Sequence, residues 1–255
     1  MSNSTKSNII DMLLSKKGTE VVDSDTLLND VQKRIKNSLD NGFRSSGIVS
    51  SSEKFLRKHI FEHVEMTVLY VDLVGSTKMS LELSSDNLST LISSFVQEMS
   101  YVISQNNGYV LKFSGDAVIG YFVGRGSSLQ ACDDAIGCAE SMLRIVKSGI
   151  NPILKENSDL PQLKIKIGID FGPNTVVQFG KEQKSFVDLL GPSMNMAAKV
   201  QSVAKPNQIL IGHDVYTKLH PNIQEFFSEV TQELENWSFT AKKSKKTYAV
   251  YAYKK

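Results

Sequence analysis

The spacing of apolar residues predicts that strands and helices alternate from about residue 65 onward. The run MTVLYVDLVG is rich in β-branched and aromatic residues and predicts a buried strand. The next segment has apolar residues at helical spacing, and it predicts a helix with Asp86 as its N-cap that ends at Asn107-Gly108. The segment YVLKFSGDAVIGYFV then predicts a β-hairpin with a tight Ser-Gly-Asp turn.

The remainder of the chain continues this alternation. Residues 128–148 predict a second long helix, and residues 192–203 predict a short one. LKIKIGIDFG and TVVQFG predict a further pair of strands, and QILIG and KTYAVYAY predict the last strands. This order is typical of an α+β fold of the ferredoxin-like kind, with helices on one face of an antiparallel sheet.

Residues 1–62 have a different texture, rich in Ser, Asn and Lys. They contain two amphipathic patterns, Leu27–Ile35 and Phe55–Phe61, separated by the Gly/Ser-rich segment GFRSSGIVSSS. We interpret residues 1–62 as a helical arm with a flexible break, and residues 63–255 as one domain.

Composition narrows the class of protein. The chain has 255 residues, of which 41% are apolar and 22% charged, and this is the balance of a soluble globular protein. The net charge of +2 does not indicate nucleic acid or a membrane surface as a partner, and no segment has the roughly 18 apolar residues needed to span a bilayer. Cys132 and Cys138 fall on different faces of a predicted helix, so we expect neither a disulfide nor a metal pair, and a cytoplasmic location.

Two aspartates are candidates for metal chemistry. Asp72 ends the first strand, and the turn that follows, with Gly75, Ser76 and Thr77, opens a helix whose backbone N–H groups suit a phosphate chain. Asp116 lies in the hairpin turn, so the two carboxylates meet at one end of the sheet if the hairpin pairs beside the first strand. Such a pair suits hard Mg²⁺ or Mn²⁺ ions. The alternative is that Asp72 only caps a helix and Asp116 only shapes a turn.

Two further segments contain polar groups with possible roles. In GPSMNMAAKV, Asn195 and Lys199 are four residues apart and share one helical face. A solvated polar stripe would explain Lys199 well, but it explains the upstream Asp188 less well. His59-Ile60-Phe61-Glu62-His63 matches the H-x-x-E-H pattern of some zinc proteases, but no ligand-bearing helix follows it, and we do not expect a catalytic zinc site there.

Four blocks together resemble a known family. YVDLVGST, LKFSGDAVIGYF, IKIGIDFG and VDLLGPSMNMAAKVQS are similar, in order and spacing, to the signature of the class III adenylate and guanylate cyclases, over about residues 64–252. The resemblance implies that residues 63–255 form a nucleotidyl cyclase catalytic domain. Such a domain converts a nucleoside triphosphate to its 3′,5′-cyclic monophosphate and pyrophosphate.

The resemblance also implies roles for single residues. Asp72 and Asp116, with the carbonyl group of Leu73, match the ligands of two divalent ions, Mn²⁺ or Mg²⁺. Lys112 and Asp188 match the pair that reads the edge of the base.

The same resemblance covers the ribose and the phosphates. Asn195 matches the asparagine that orients the ribose, and Lys199 stands where the family usually has an arginine that stabilises the transition state. Lysine is a compact point charge and not a planar bidentate donor, so this is a departure from the family. Lys242 and Lys243 are both candidates for the family's C-terminal lysine that contacts the triphosphate.

The resemblance to this family also implies a homodimer. In such a dimer the active sites lie at the subunit interface, with the metal aspartates from one subunit and the base-reading and ribose-holding residues from the other. The alternative from another class of function is a catalytically dead cyclase-like module that senses or scaffolds, with Lys199 as its sign. The presence of both aspartates argues against that alternative.

The preferred base depends on the size of the pocket. A Lys112 donor and an Asp188 acceptor fit adenine, cytosine and uracil, and fit guanine worst. Tyr70 lies two residues before Asp72 on the same strand face, where many family members have Phe, and its hydroxyl shortens the pocket. Tyr70, the NMAAK segment and the compact chain resemble the pyrimidine cyclases of bacterial Pycsar anti-phage systems. This resemblance implies a uridylate cyclase whose cyclic UMP signals to a separate effector. One alternative is that cytosine is the preferred base, and the other is an ordinary adenylate cyclase that makes cyclic AMP.

Overall fold

The computed structural model describes residues 24–41, 50–124, 126–156, 160–180, 185–240 and 246–254. The strands in these residues are β1 (His63–Leu73), β2 (Tyr109–Ser114), β3 (Ala117–Phe122), β4 (Ile165–Phe179), β5 (Phe186–Leu190), β6 (Gln208–Gly212), β7 (Phe227–Glu229) and β8 (Val250–Tyr253). The α-helices are α1 (Ser24–Asn41), α2 (Ser50–Arg57), α3 (Ser76–Glu82), α4 (Ser85–Gln105), α5 (Ser128–Arg144), α6 (Asn151–Glu156), α7 (Pro192–Ser202), α8 (His213–Tyr216) and α9 (Pro221–Gln224).

One sheet organises the domain, in the strand order β2-β3-β1-β4-β6-β8-β7, and β5 pairs with the far end of β4. Strand β1 is antiparallel to both neighbours, β3 and β4. Strands β4 and β6 are parallel, because α7 lies between β5 and β6 and returns the chain along the sheet. The α+β, ferredoxin-like architecture is confirmed, with this one parallel pair in a sheet that we predicted to be antiparallel.

Both faces of the sheet are covered by helices. Helices α4 and α5 pack on one face, where Leu69 of β1 joins Phe95 and Ile136 in the larger core cluster. Helices α2 and α7 pack on the other face, where Val68 of β1 joins Ala197. Successive residues of a strand point to opposite faces, and Val68 and Leu69 are both fully buried. The prediction of helices on one face only is therefore wrong, and the continuous apolar run of β1 is the signature of a strand buried on both sides.

Some element boundaries differ from the predictions. Helix α4 is capped by Ser84, whose side chain accepts a hydrogen bond from the backbone N–H of Asn87 at 3.3 Å, so Asp86 lies inside the helix. Helix α5 continues through a π-helix (Ile145–Ile150) into α6 and so extends beyond residue 148. The two strands predicted after residue 163 are one strand, β4, which remains extended because β1 pairs with it as far as Thr175 and β5 pairs with it from there.

The described helices of residues 1–62 pack against the domain. Val31 and Ile35 of α1 are buried in the larger core cluster. Arg34 donates hydrogen bonds from Nε and Nη2 to the two carboxylate oxygens of the buried Glu98, at 2.7 Å each. Leu56 of α2 is buried on the opposite face of the sheet. Residues 42–49 of the predicted break lie outside the described residues, and its last part, Ser50–Ser52, is instead the first turn of α2.

Cys132 and Cys138 do not form a disulfide, and both are buried. Burial raises the pKa of the Cys132 thiol to about 12. None of the helices in the described part of the chain is long and apolar enough to cross a membrane.

Candidate active site

Asp72 and Asp116 lie side by side, as the sequence predicted. Asp72 is near the end of β1, and Asp116 is in the turn between β2 and β3, where Gly115 adopts a left-handed φ of 63°. Burial, followed by the charge of Asp116, raises the pKa of the Asp72 carboxyl. Oδ2 of Asp116 is buried and makes no hydrogen bond.

This pair of carboxylates fits a divalent cation. Two adjacent negative groups repel each other, and a cation between them relieves that repulsion and supplies a partner for the unsatisfied oxygen of Asp116. Within the described ranges, no three His, Cys, Asp or Glu side chains are grouped to hold a metal. Further ligands would therefore come from backbone oxygens, such as the predicted Leu73 carbonyl, and from substrate phosphates.

The H-x-x-E-H segment does not converge on a single partner. Nδ1 of His59 lies 2.7 Å from Oε2 of Glu62. Nδ1 of His63 instead lies 2.9 Å from Oγ1 of Thr175 on β4. The two imidazoles thus have separate contacts.

The turn after Asp72 leads directly into a helix, as the sequence predicted. Gly75 adopts φ 79° and ψ 21°, a left-handed conformation that favours glycine, and α3 starts immediately after it. Ser76 and Thr77 are the first residues of α3, and no side chain caps this helix at Gly75. The backbone donors at its start therefore depend on solvent or a ligand.

Lys112 and Asp188 form a direct ion pair. Nζ of Lys112, on β2, donates to Oδ2 of Asp188, on β5, at 2.5 Å. Oδ1 of Asp188 accepts a hydrogen bond from the backbone N–H of Leu189 at 2.8 Å. The predicted base-reading pair is therefore assembled within one chain.

Tyr70 belongs to the same group of residues. It pairs across the sheet with Ile119 of β3, and Ile119 pairs in turn with Lys112. A shift of register between Val110 and Lys112 brings Lys112 into this row. Burial, followed by the charge of Asp188, raises the pKa of the Tyr70 hydroxyl.

Helix α7 presents Asn195 and Lys199 on one exposed face, as their spacing predicted. Nζ of Lys199 lies 5.8 Å from the centre of the Phe239 ring, within the range of a cation–π contact. The start of the helix is attached to β4, because the side-chain amide of Asn174 donates to Oγ of Ser193 at 2.6 Å. Lys242 and Lys243 lie outside the described residues.

Sequence reasoning missed two residues beside Asp72. Nε2 of Gln201, in the last turn of α7, donates to Oδ2 of Asp72 at 3.2 Å. Lys166 is the direct cross-strand partner of Asp72 on β4, so its cationic side chain starts from the same face of the sheet. The only signal in the sequence is that Lys166 is a polar position in an apolar strand, since strand register and helix docking are tertiary properties.

The comparisons with known proteins show the family of the chain. Residues 59–252 match the family model described as the adenylate and guanylate cyclase catalytic domain. The chain belongs to this cyclase family. It is 25% identical to a cytidylate cyclase of Escherichia coli over 185 residues, which cover 66% of this chain and 40% of that protein. It is 28% identical to a uridylate cyclase of Rhodovulum sp. (strain MB263), over 71% of this chain and 75% of that protein.

Solved structures of cyclases share the fold. The adenylyl cyclase CyaB from P. aeruginosa superposes with a TM-score of 0.63 at 23% identity, covering 76% of this chain and 95% of that one. The guanylyl cyclase Cya2 gives a TM-score of 0.63 at 20% identity, with 75% and 92% covered. The similarity spans less than half the length of the Escherichia coli cytidylate cyclase, and 42% of a cytidylate cyclase of Staphylococcus aureus.

Proposed function

We propose that this chain is a nucleotidyl cyclase that converts a nucleoside triphosphate to its 3′,5′-cyclic monophosphate and pyrophosphate, and that UTP is its preferred substrate. The observation that carries the proposal is the pair of carboxylates of Asp72 and Asp116, with one buried oxygen unsatisfied, in a domain of the cyclase family. Divalent ions held by this pair, Mn²⁺ or Mg²⁺, would activate the attacking oxygen and neutralise phosphate charge.

The chain's own residues bind and orient the substrate in this mechanism. Asn195 holds the ribose so that its 3′-hydroxyl lies in line with the α-phosphate. The 3′-oxygen bonds to the α-phosphorus, the bond from that phosphorus to pyrophosphate breaks, and the hydroxyl proton is released to solvent. Lys199 stabilises the charge that develops at phosphorus. The start of α3 and the side chain of Lys166 face the phosphate chain.

The base is read by Lys112 and Asp188, which exchange their mutual contact for contacts with the substrate. Lys112 donates to O4 of uracil, and Asp188 accepts from its N3–H group. Tyr70 lies near Asp188, whose charge helps to raise the pKa of its hydroxyl, and its side chain fills space that a purine would need. The similarity to a uridylate cyclase over 75% of that protein's length supports UTP.

CTP and ATP are the competing substrates. The same donor and acceptor fit N3 and the 4-amino group of cytosine, or N1 and the 6-amino group of adenine. The chain is also 26% identical to an adenylate cyclase of Streptomyces coelicolor (strain ATCC BAA-471 / A3(2) / M145), over 57% of this chain and 32% of that protein.

Incubation with the four triphosphates at equal concentration, with Mn²⁺ and product identification by mass spectrometry, tests the substrate. Cyclic UMP should dominate, and Asp72→Ala should make none. Dominant cyclic AMP would contradict the pyrimidine assignment. No cyclic product from any triphosphate would favour a catalytically dead module.

The active form is proposed to be a head-to-tail homodimer, in which Asp72 and Asp116 of one subunit face Lys112, Asp188 and Asn195 of the other. Several large apolar side chains near the base-reading pair are exposed, as at a protein interface. They are Phe113, which follows Lys112, Leu190 of β5, and Phe179 and Phe186, which are paired between β4 and β5.

Subunit mixing tests the shared site. Asp72→Ala and Asn195→Ala proteins should each be inactive, and mixing them should restore activity through hybrid dimers with one intact site. No rescue after confirmed subunit exchange would contradict the arrangement.

The biological role is proposed to be synthesis of a second messenger in anti-phage defence, in the cytoplasm, with a separate effector that reads the cyclic nucleotide. The support is the resemblance of Tyr70 and the NMAAK segment to the Pycsar pyrimidine cyclases. Phage infection of a host that expresses the chain should raise cyclic UMP above the level in a host that expresses Asp116→Ala. Equal levels in the two hosts would contradict this role.

A further inference from the structure

Helix α2 contacts both strands that carry the base-reading pair, although it lies before the residues that match the family model. On the side of β2, the ring of Phe55 stacks on Tyr109 with 5.2 Å between centroids and 26° between planes. Oγ of Ser52 donates to the hydroxyl of the buried Tyr121 on β3, the next strand, at 3.2 Å. These contacts attach α2 to the β2–β3 hairpin.

On the side of β5, the contact is made by Arg57. Its Nη2 donates to the backbone carbonyl of Ser185 at 2.7 Å, and its Nη1 donates to Oγ of the same residue at 3.1 Å. Ser185 immediately precedes β5, which contains Asp188. Glu53, one turn earlier in α2, accepts from Nε of Arg57 at 2.9 Å and holds the guanidinium in place.

Between these two attachments, α2 inserts a buried side chain. Leu56 is 1% exposed and belongs to the same apolar cluster as Leu111, Val187 and Leu189. Leu111 is adjacent to Lys112, and Val187 and Leu189 flank Asp188 in sequence. The helix therefore packs on the two strand segments that carry the ion pair.

Strands β2 and β5 are not neighbours in the sheet. Among the described strands, β2 is at one edge and is separated from β4 by both β3 and β1, and β5 pairs only with the end of β4. The backbone hydrogen bonds of the sheet thus link Lys112 to Asp188 only indirectly, and contacts that cross from β2 to β5 set their separation.

We propose that α2 is a positioning clamp for the base pocket, which holds β2 and β5 at the spacing that lets Lys112 and Asp188 read one base edge. This inference rests on the proposed function of that pair. It means that residues outside the family's catalytic domain govern nucleotide affinity and base selectivity in this chain. Loosening the clamp should affect binding of the base more than the chemical step at the distant phosphate.

Arg57→Met is the direct test, because methionine keeps an apolar stem and removes both hydrogen bonds to Ser185. Lys54→Met is its matched control, since it removes one positive charge from an exposed position of the same helix. The measurements are equilibrium binding of 3′-deoxy-UTP, which cannot cyclise, and kcat and KM for UTP and ATP.

Arg57→Met should weaken binding and raise KM for UTP by about 3- to 10-fold, as expected for the loss of hydrogen bonds that hold one wall of the site. The preference for UTP over ATP should fall, and kcat should change by less than about 2-fold. Lys54→Met should match the wild type. Phe55→Leu, which weakens the attachment to β2, should reproduce the effect of Arg57→Met, and thermal melts identify any variant that has lost its fold.

Wild-type binding and base preference in both folded clamp variants would overturn the proposal. Asp188→Asn in the same assays separates this outcome from a failure of the proposed function. If Asp188→Asn changes the base preference and the clamp variants do not, only the clamp is wrong. If Asp188→Asn also leaves the preference unchanged, the base-reading pair is wrong and the clamp proposal falls with it.

Discussion

Gly168→Ala should displace α7, because β4 and the backbone of this helix approach closely at Gly168. A Cβ at this position would lie 2.2 Å from the backbone nitrogen of Gln201 and 2.5 Å from the backbone oxygen of Ala197. Ordinary contacts begin at 3.4 Å, and both of these atoms belong to the helix backbone, which cannot rotate away as a side chain can. The helix must therefore retreat by about 1 Å.

The cost should appear in both stability and activity. Overpacking of this kind costs about 1–3 kcal/mol of unfolding free energy, which lowers Tm by about 2–12 °C in a domain of this size. Helix α7 also carries Asn195 and Lys199, and a displacement of about 1 Å at reacting groups costs about 100-fold in rate.

Gly172→Ala provides a matched control on the same strand. Its Cβ would meet the Cβ of Ser193, also on α7, at 3.5 Å, which is an ordinary contact. Thermal melts and initial rates of pyrophosphate release should show a large effect for Gly168→Ala and a Tm close to wild type for Gly172→Ala. Equal effects, or a wild-type Tm and rate in Gly168→Ala, would refute the close packing of α7 on β4.

Three further predictions concern single side chains. Asp116→Ala should remain folded, lose all cyclic product and lose the rise in Tm that Mn²⁺ gives the wild type; near-normal turnover would contradict the metal assignment. Lys199→Ala should lower kcat about 10- to 1,000-fold with little change in KM, whereas Lys199→Arg should retain activity; an unchanged rate in Lys199→Ala would identify a solvated surface lysine. Burial raises the pKa of Asp170 well above its usual value, so the folded chain keeps a proton that the unfolded chain releases above about pH 4. The stabilisation that protonated Asp170 contributes is fully present below the pKa of this group in the unfolded chain. It is lost as pH rises through the pKa of the group in the folded chain. Asp170→Asn, which keeps an acceptor for the Tyr248 hydroxyl, should therefore raise Tm more at pH 8 than at pH 5, and an equal change in Tm at the two pH values would contradict it.

Local sequence patterns were sufficient to predict much of the fold and the relative positions of some candidate site residues. The alternation of apolar residues and the Ser-Gly-Asp turn predicted the hairpin of β2 and β3, and the pairing of β3 with β1 then brings Asp116 to Asp72. The spacing of Asn195 and Lys199 predicted their shared face on α7. Each of these features depends on residues close in sequence or on one strand pairing.

The features that the sequence did not predict depend on packing between elements that are distant in the chain. The two strands predicted over LKIKIGIDFG and TVVQFG have Pro173 and Asn174 between them, but β1 and β5 keep β4 extended through these residues. The contact of Gln201 with Asp72 joins residues far apart in sequence through the docking of α7. The same holds for α2, whose short amphipathic pattern gives no information on which strands it will contact.

Helix α7 connects the two half-sites that each chain contributes in the proposed dimer. Its last turn contacts the chain's own Asp72 through Gln201, while its exposed face carries Asn195 and Lys199 for the other site. A displaced helix should impair both halves, because it moves the partner of Asp72 and the ribose-holding residue together. Mixing Gly168→Ala protein with either Asp72→Ala or Asn195→Ala should therefore restore less activity than mixing those two variants with each other. Full rescue by Asp72→Ala would show that the metal half does not depend on α7, and that the contact of Gln201 is dispensable.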